Sequence, residues 1–143
     1  MKKKSYNFTY SLRVRYAEVD YQGIVFNAHY LTYFDCAITE YYRAIKYNYS
    51  EEVKKYKKDF HVIKTIIEYK KPILFDQIIN IKVRVSKIGN TSLTYDISLY
   101  SEEDKDLLAE GSLIQVYTDQ ITVKSVELPI HLIKKIKNFE ILS

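Results

Sequence analysis

The sequence predicts an α+β domain in which one long helix covers an antiparallel sheet. Three observations predict it. Residues 8–16 alternate with period two, residues 28–47 repeat their apolar positions at steps of three and four, and four or five β-branched runs follow from residue 61 onward with only turn-length connections. Connections that short make neighbouring strands antiparallel. The 143 residues fit one domain spanning 1–143. A chain of that size buries roughly 68–70% of its unfolded surface and needs no covalent staple.

In the first strand Phe8, Tyr10, Leu12, Val14 and Tyr16 share one side, and Thr9, Ser11, Arg13 and Arg15 share the other. Asp20 and Gly23 then break the alternation as turn residues. Over 28–47, Leu31, Phe34, Ile38, Tyr41 and Ile45 form the apolar stripe, with Thr32, Asp35, Thr39, Arg43 and Lys46 opposite. Ala37 and Ala44 border that stripe and allow close approach to a sheet. Asn27 is placed to cap the helix with its side chain. A short polar helix is expected over 50–58, capped by Ser50.

Residues 61–69 are apolar on more than one face, as a central strand would be. Residues 78–87 place Ile79, Ile81, Val83 and Val85 inward, and 92–100 do the same with Leu93, Tyr95, Ile97 and Leu99. Gly89-Asn90 marks the turn between them. A long strand follows over 107–117, a short one over 121–126, and a terminal amphipathic helix over 129–139 with Pro129 at its first position. The sheet so built has an open edge, which pairing with a second copy would close.

Composition narrows the function. A net charge of +4 suits an anionic ligand or an acidic carrier protein and falls short of the concentrated basic face of a nucleic-acid binder, so an RNA-binding module ranks low. The basic runs at 2–4 and 54–58 read as solvated surface. No apolar run reaches the ~18 residues of a membrane helix, and no apolar segment follows the basic N-terminus as a signal peptide requires. The single Cys36 forms no intrachain disulfide and suits a reducing, cytoplasmic setting; its place in mid-helix predicts a small buried hydrophobe. His29, His61 and His131 lack metal-ligand spacing, so no metal is expected. No nucleophile elbow, dinucleotide fingerprint or phosphate loop is present.

Asp20 carries the remaining chemistry. Its ordinary reading is a turn aspartate whose side chain accepts a backbone bond. It also stands seven residues before Asn27 and the expected helix start. Unpaired N–H groups at a helix start suit an oxyanion, and the same positive end favours an ionised carboxylate, hence a nucleophile or base.

The stretch RVRYAEVDYQGIVFNAHYLTYFDCAITEYYRA closely resembles the first third of the hotdog-fold acyl-CoA thioesterases of the 4-hydroxybenzoyl-CoA thioesterase superfamily, the Tol-Pal-associated branch included. The matching features are Tyr16, Asp20, Gly23-Ile24-Val25, Tyr30 and Thr39-Glu40-Tyr41. The later segments IEYKKPILFDQIINIKVRVSKIGNTSLTYDISLY and LLAEGSLIQVYTD are similar to the family's strands, so the resemblance covers about 8–120. It implies a five- to six-stranded antiparallel sheet wrapped around the 28–47 helix. It implies dimers joined edge to edge, often paired into tetramers, with active sites shared between subunits. The implied reaction is hydrolysis of an acyl-CoA or acyl-carrier-protein thioester, with no cofactor beyond the coenzyme A of the substrate. Carried over by position, Asp20 is the catalytic carboxylate and the Asn27 backbone N–H polarises the thioester carbonyl. Tyr16, Gly23, Val25 and Tyr30 are implied to be substrate-binding. Lys87, Asn90, Thr91 and Ser92 meet the coenzyme. The Tol-Pal-associated branch has His in the Asn27 position and Asn two places on, whereas this chain has Asn27 and His29. Two helical residues rotate a side chain by about 200°, so His29 does not replace that histidine. A dehydratase would need a histidine in another motif. The alternative from a different class is a hotdog protein that binds acyl-CoA without hydrolysing it.

Overall fold

A computed structural model describes residues 5–141, which leaves the basic run at 2–4 outside the described residues. The elements are β1 (Thr9–Arg13), α1 (His29–Ala44), α2 (Tyr49–Tyr56), β2 (Lys58–Tyr69), β3 (Ile78–Ile88), β4 (Ser92–Ser101), β5 (Leu107–Asp119) and α3 (Ile130–Glu140), with 3-10 turns at Tyr16–Glu18 and Glu102–Asp104. The five strands form one antiparallel sheet in the order β1-β3-β4-β5-β2. The helix α1 lies across it, which gives the hotdog arrangement.

Alternation in β3 and β4 sets the inner face as expected. Ile79, Ile81, Val83, Leu93, Tyr95, Ile97 and Leu99 are all fully buried, and Val85 nearly so. They meet Tyr33, Phe34, Ala37, Ile38 and Tyr41 of α1, and the Tyr41 and Tyr95 rings pack edge to face at 6.0 Å. Each such apolar side chain contributes about 1.5–3 kcal/mol on burial. Ala37 lets the helix approach the sheet closely. The helix α3 adds Leu132 and Ile136 to the same core, and its Glu140 accepts from the Tyr41 hydroxyl (2.7 Å) and the Val85 N–H (3.0 Å).

Several local expectations are corrected. The strand at 61–69 is an edge strand, because β2 pairs only with β5; Val62, Ile63, Ile66 and Tyr69 stay exposed. Periodicity reports apolar faces but not what covers them. Tyr16 turns out to solvent, since β1 ends at Arg13 and the 3-10 turn rotates it away from the face it shared with Leu12. Cys36 is exposed. At 100° per residue it falls far from the centre of the buried stripe, while Leu31 sits at the margin of that stripe and is also exposed. Asn48, not Ser50, caps α2 by accepting from the Glu51 N–H. Pro129 occupies the cap position just before the first helical residue. Residues 121–126 form no strand. The Asp119 carboxylate accepts the N–H groups of Ile121 and Thr122 and Val123 adopts φ +59°, so the chain curls and only a Thr118–Ser125 bridge survives.

Candidate active site

The segment from β1 to α1 folds into a tight hairpin-like turn. Val19 bridges Val25, the Asp20 N–H donates to the Ile24 carbonyl (2.9 Å), and the Gly23 N–H donates to the Asp20 carbonyl (2.9 Å). Gly23 closes this three-residue loop at φ +77°, a left-handed conformation that a side chain would oppose. The Phe26 N–H then donates back to the Glu18 carbonyl (3.0 Å), and the next residues enter α1.

The start of α1 is open. The N-cap position is Ala28, no side chain caps it, and no acidic residue lies in the first turn. Asn27 was expected to cap with its amide; it stands one residue too early, and it is the Asn27 carbonyl that accepts, from the Tyr30 N–H at 3.3 Å. The N–H groups of Asn27 and Ala28 donate to no described residue. A good cap contributes about 1 kcal/mol, so this end is less stable than it could be and is left available to an anion.

Asp20 and Asn27 line one cleft of about 300 Å³ with Ile24, Val25, Tyr30, Tyr69, Lys70, Lys71 and Pro72. Asp20 takes the turn role expected of it: Oδ1 accepts from the Gln22 N–H (2.8 Å), while Oδ2 takes no bond from a described residue. Val25 is buried beneath it, held by its N–H to the Ile73 carbonyl (2.8 Å). The buried Tyr30 ring meets the Tyr69 ring edge-on at 4.8 Å, and the Tyr69 hydroxyl lies 3.4 Å from the Asn27 carbonyl oxygen. Burial, with Tyr69 nearby, pushes the Tyr30 phenol up to about 12, so it stays protonated at neutral pH. A larger hollow of about 430 Å³ lies between the end of α1 and the start of α2, lined by Arg43 and Lys46 among others. It contains no carboxylate, so size does not select the reactive site.

Not every residue singled out from the sequence reaches this cleft. Tyr16 is exposed, with its ring 5.9 Å from that of Phe75, and Gly23 acts through the turn. His29 packs its ring against Phe26 and does not line the cleft. Lys87, Asn90, Thr91 and Ser92 stand at the β3–β4 turn, at the other end of the sheet. Ser92 pairs with Val116, whereas Ala109 pairs with Tyr69 at the cleft. The seven residue steps from Ala109 to Val116 span roughly 23 Å. Among the described residues no three His, Cys, Asp or Glu side chains are grouped to hold a metal, and no helix is long and apolar enough to cross a membrane.

The sequence reading passed over Tyr69 to Pro72, which enter the cleft from the end of β2, and over Glu18. Glu18 is only 6% exposed. Its Oε1 accepts from the Arg15 N–H (2.7 Å) and the Tyr33 hydroxyl (3.0 Å), and its Oε2 accepts from Arg15 Nε (3.2 Å) and Nη2 (3.1 Å). Its local signal is confined to a Glu three residues after the position that precedes the 3-10 turn, the half of a capping box that reaches back to a backbone N–H. Burial alone would raise the Glu18 carboxyl, but the Arg15 and Tyr33 bonds outweigh it and hold the group below its ordinary value of 4.5. A lowered folded value adds stability that is fully present above the ordinary value and is lost as the pH falls through the folded one. Urea midpoints compared at pH 7 and pH 3 are therefore expected to fall less in Glu18→Gln than in the unsubstituted protein; equal falls would show that Glu18 takes no part in acid unfolding.

Residues 22–108 match the model of the thioesterase superfamily. The chain belongs to the thioesterase superfamily. That stretch begins two residues after Asp20 and takes in α1 and β2 to β4. The acyl-CoA thioester hydrolase YbgC of Escherichia coli O6:H1 is 27% identical over 131 residues, 91% of this chain and 96% of that one. Among thioesterase structures, the DHNA-CoA thioesterase of Staphylococcus aureus superposes with a TM-score of 0.86 at 21% identity, covering 93% of this chain and 90% of that one. A hypothetical protein of Aquifex aeolicus gives a TM-score of 0.83 at 24% identity, covering 91% and 99%. At these identities the structural matches establish the shared fold.

Proposed function

We propose that this thioesterase-superfamily chain hydrolyses an acyl-CoA thioester, with Asp20 as nucleophile or general base and the Asn27 backbone N–H as the oxyanion donor. The observation that carries the reading is that Asn27, whose N–H at the uncapped start of α1 donates to no described residue, lines one cleft with Asp20, whose Oδ2 is unbonded. The thioester carbonyl oxygen takes the Asn27 N–H, and negative charge developing on it is stabilised there; one such donor in a comparable site is worth roughly 2.7–4 kcal/mol. As base, Asp20 takes a proton from water while the water oxygen bonds the carbonyl carbon. The C–S bond then breaks, and the thiolate leaves with a proton as coenzyme A thiol. As nucleophile, Asp20 forms an anhydride that water opens to the same acid. Ile24, Val25 and the Tyr30 and Tyr69 rings give the acyl group an apolar wall. An acyl-carrier-protein thioester presents the same carbonyl and is a further substrate of the same chemistry. A thiol-release screen over aliphatic and aromatic acyl-CoAs, with Asp20→Ala beside the unsubstituted protein, tests the reading. Tight binding with no thiol released from any of them would make the chain an acyl-CoA binder instead.

The working unit in this reading is at least a homodimer joined through β2. Its exposed Val62, Ile63 and Ile66 sit on an unpaired edge that invites pairing. Two-fold antiparallel pairing would set the Tyr69 end of one β2 beside the His61 end of the other. His61 pairs with Val116 and Val116 with Ser92, so the partner subunit's 87–92 turn would approach the cleft that its own chain leaves some 23 Å away. That places Lys87, Asn90, Thr91 and Ser92 on coenzyme A bound in the neighbouring subunit. Sedimentation of Ile63→Lys/Ile66→Lys is expected to show the mass halved, with turnover lost at the same time. An unchanged mass with full activity would remove β2 as the joining edge.

A further inference from the structure

We infer that Glu18 is a positioning residue, an ionised clamp that fixes the Asp20 carboxylate relative to the open start of α1. The inference rests on reading Asp20 and the Asn27 N–H as the reacting pair. Three segments must keep their places for that pair to work: the exit of β1, the 20–23 turn and the first turns of α1. Glu18 bonds directly to the first and third, and it joins the 20–23 turn through the chain and the Val19–Val25 bridge. Its carboxylate holds the Arg15 backbone and guanidinium at the exit of β1, and it holds the Tyr33 hydroxyl on the buried face of α1. Its backbone carbonyl holds the Phe26 N–H, in the residue that precedes Asn27. Asp20 follows two residues later, beyond the Val19–Val25 bridge. The clamp thus runs from the strand through Glu18 to both members of the pair, and Glu18 itself does not line the cleft.

The chemistry of the four bonds demands a charge at this position. Arg15 N–H, Arg15 Nε and Nη2, and the Tyr33 hydroxyl all donate, two to each carboxylate oxygen. Only an acceptor-only group fits that set. A glutamine of the same length keeps one acceptor oxygen and turns its NH₂ toward two of those donors, so it loses either the Arg15 guanidinium or the Arg15 N–H and Tyr33 hydroxyl pair. Movement of about 1 Å in a supporting group costs on the order of 10²-fold in rate. Solvent water and the surrounding turn cannot substitute for the lost charge, because the group is buried.

The test is steady-state kinetics of Glu18→Gln on an acyl-CoA that the unsubstituted protein turns over, with melting temperatures recorded in parallel. The expected result is a fall of about 10²-fold in kcat with KM changed less than about threefold. Adding Glu18→Gln to Asp20→Asn should leave the residual rate within about twofold, since a clamp has nothing to position once the carboxylate is gone. Tyr33→Phe removes one donor and keeps the charge; it should lower kcat by about three- to tenfold at constant KM, and it decides the matter if Glu18→Gln does not fold. Wild-type kcat in either single variant, or an effect confined to KM, would overturn the clamp. So would an equal loss from Glu18→Gln with and without Asp20→Asn. Wild-type turnover by Asp20→Asn would end the Asp20 reading itself, whereas an inactive Asp20→Asn beside a fully active Glu18→Gln would end only the inference about Glu18.

Discussion

Asp20→Asn is expected to lower thioester turnover by about 10²–10⁴-fold, the usual contribution of a positioned proton-transfer group, with the fold intact. Asparagine keeps the side-chain oxygen that accepts from the Gln22 N–H, so the turn holds its shape. The position is exposed, so no buried charge is stranded or neutralised by the change. What is removed is the negative charge of a residue that lines the cleft. Release of free thiol from a panel of acyl-CoAs, followed alongside the melting temperature, checks this. A folded Asp20→Asn protein with wild-type turnover would sink the mechanism outright, because no other carboxylate lines the cleft among the described residues.

The largest expected loss of stability is at Gly111. It lies mid-strand in β5, paired with Ile67 on one side and Ile97 on the other. A Cβ there would sit 1.9 Å from the Ile66 carbonyl oxygen and 3.0 Å from its carbon. Both are backbone atoms of the neighbouring strand, so no side chain can swing aside. Gly111→Ala must push β2 off β5, at a cost of about 3 kcal/mol or more. For a chain of this size that lowers the melting temperature by roughly 10 °C. Thioester turnover should fall with it, because β2 carries Tyr69 and leads into Lys70, Lys71 and Pro72 at the cleft. An alanine variant that melts with the unsubstituted protein would show that β2 and β5 pair in another register.

The contrast between Asp20 and Glu18 shows how far the site could be read from the chain alone. Asp20 announces itself, since a turn aspartate close before an amphipathic helix is visible as a break in one period followed by the onset of another. The same local pattern located the helix start to within a residue or two, but it chose the wrong cap. Whether an Asn side chain turns back onto the helix depends on where the preceding turn leaves it, and the Val19–Val25 bridge sets that. Glu18 gave no signal of comparable strength. Its meaning comes from Tyr33, fifteen residues on, and from a buried site that exists only after α1 has docked. Cys36 fails for the opposite reason: among apolar neighbours a lone thiol looks buried, although its phase at 100° per residue turns it away from the stripe.

By itself, then, the sequence determined the order and type of the elements apart from the short strand expected at 121–126, the inward faces of β3 and β4, the buried stripe of α1 apart from Leu31, and the Asp20 turn. Each of these follows from interactions within a few residues, where side-chain periodicity and turn chemistry act directly. The tertiary structure alone decided that β2 lies at the sheet edge, that its end delivers Tyr69 to Pro72 beside Asp20, and that the 87–92 turn stands at the far end of the same chain. Those facts depend on which strands pair across gaps of forty residues or more. Such pairing is fixed by the combined packing of the whole core around α1, and no short stretch of the chain carries it.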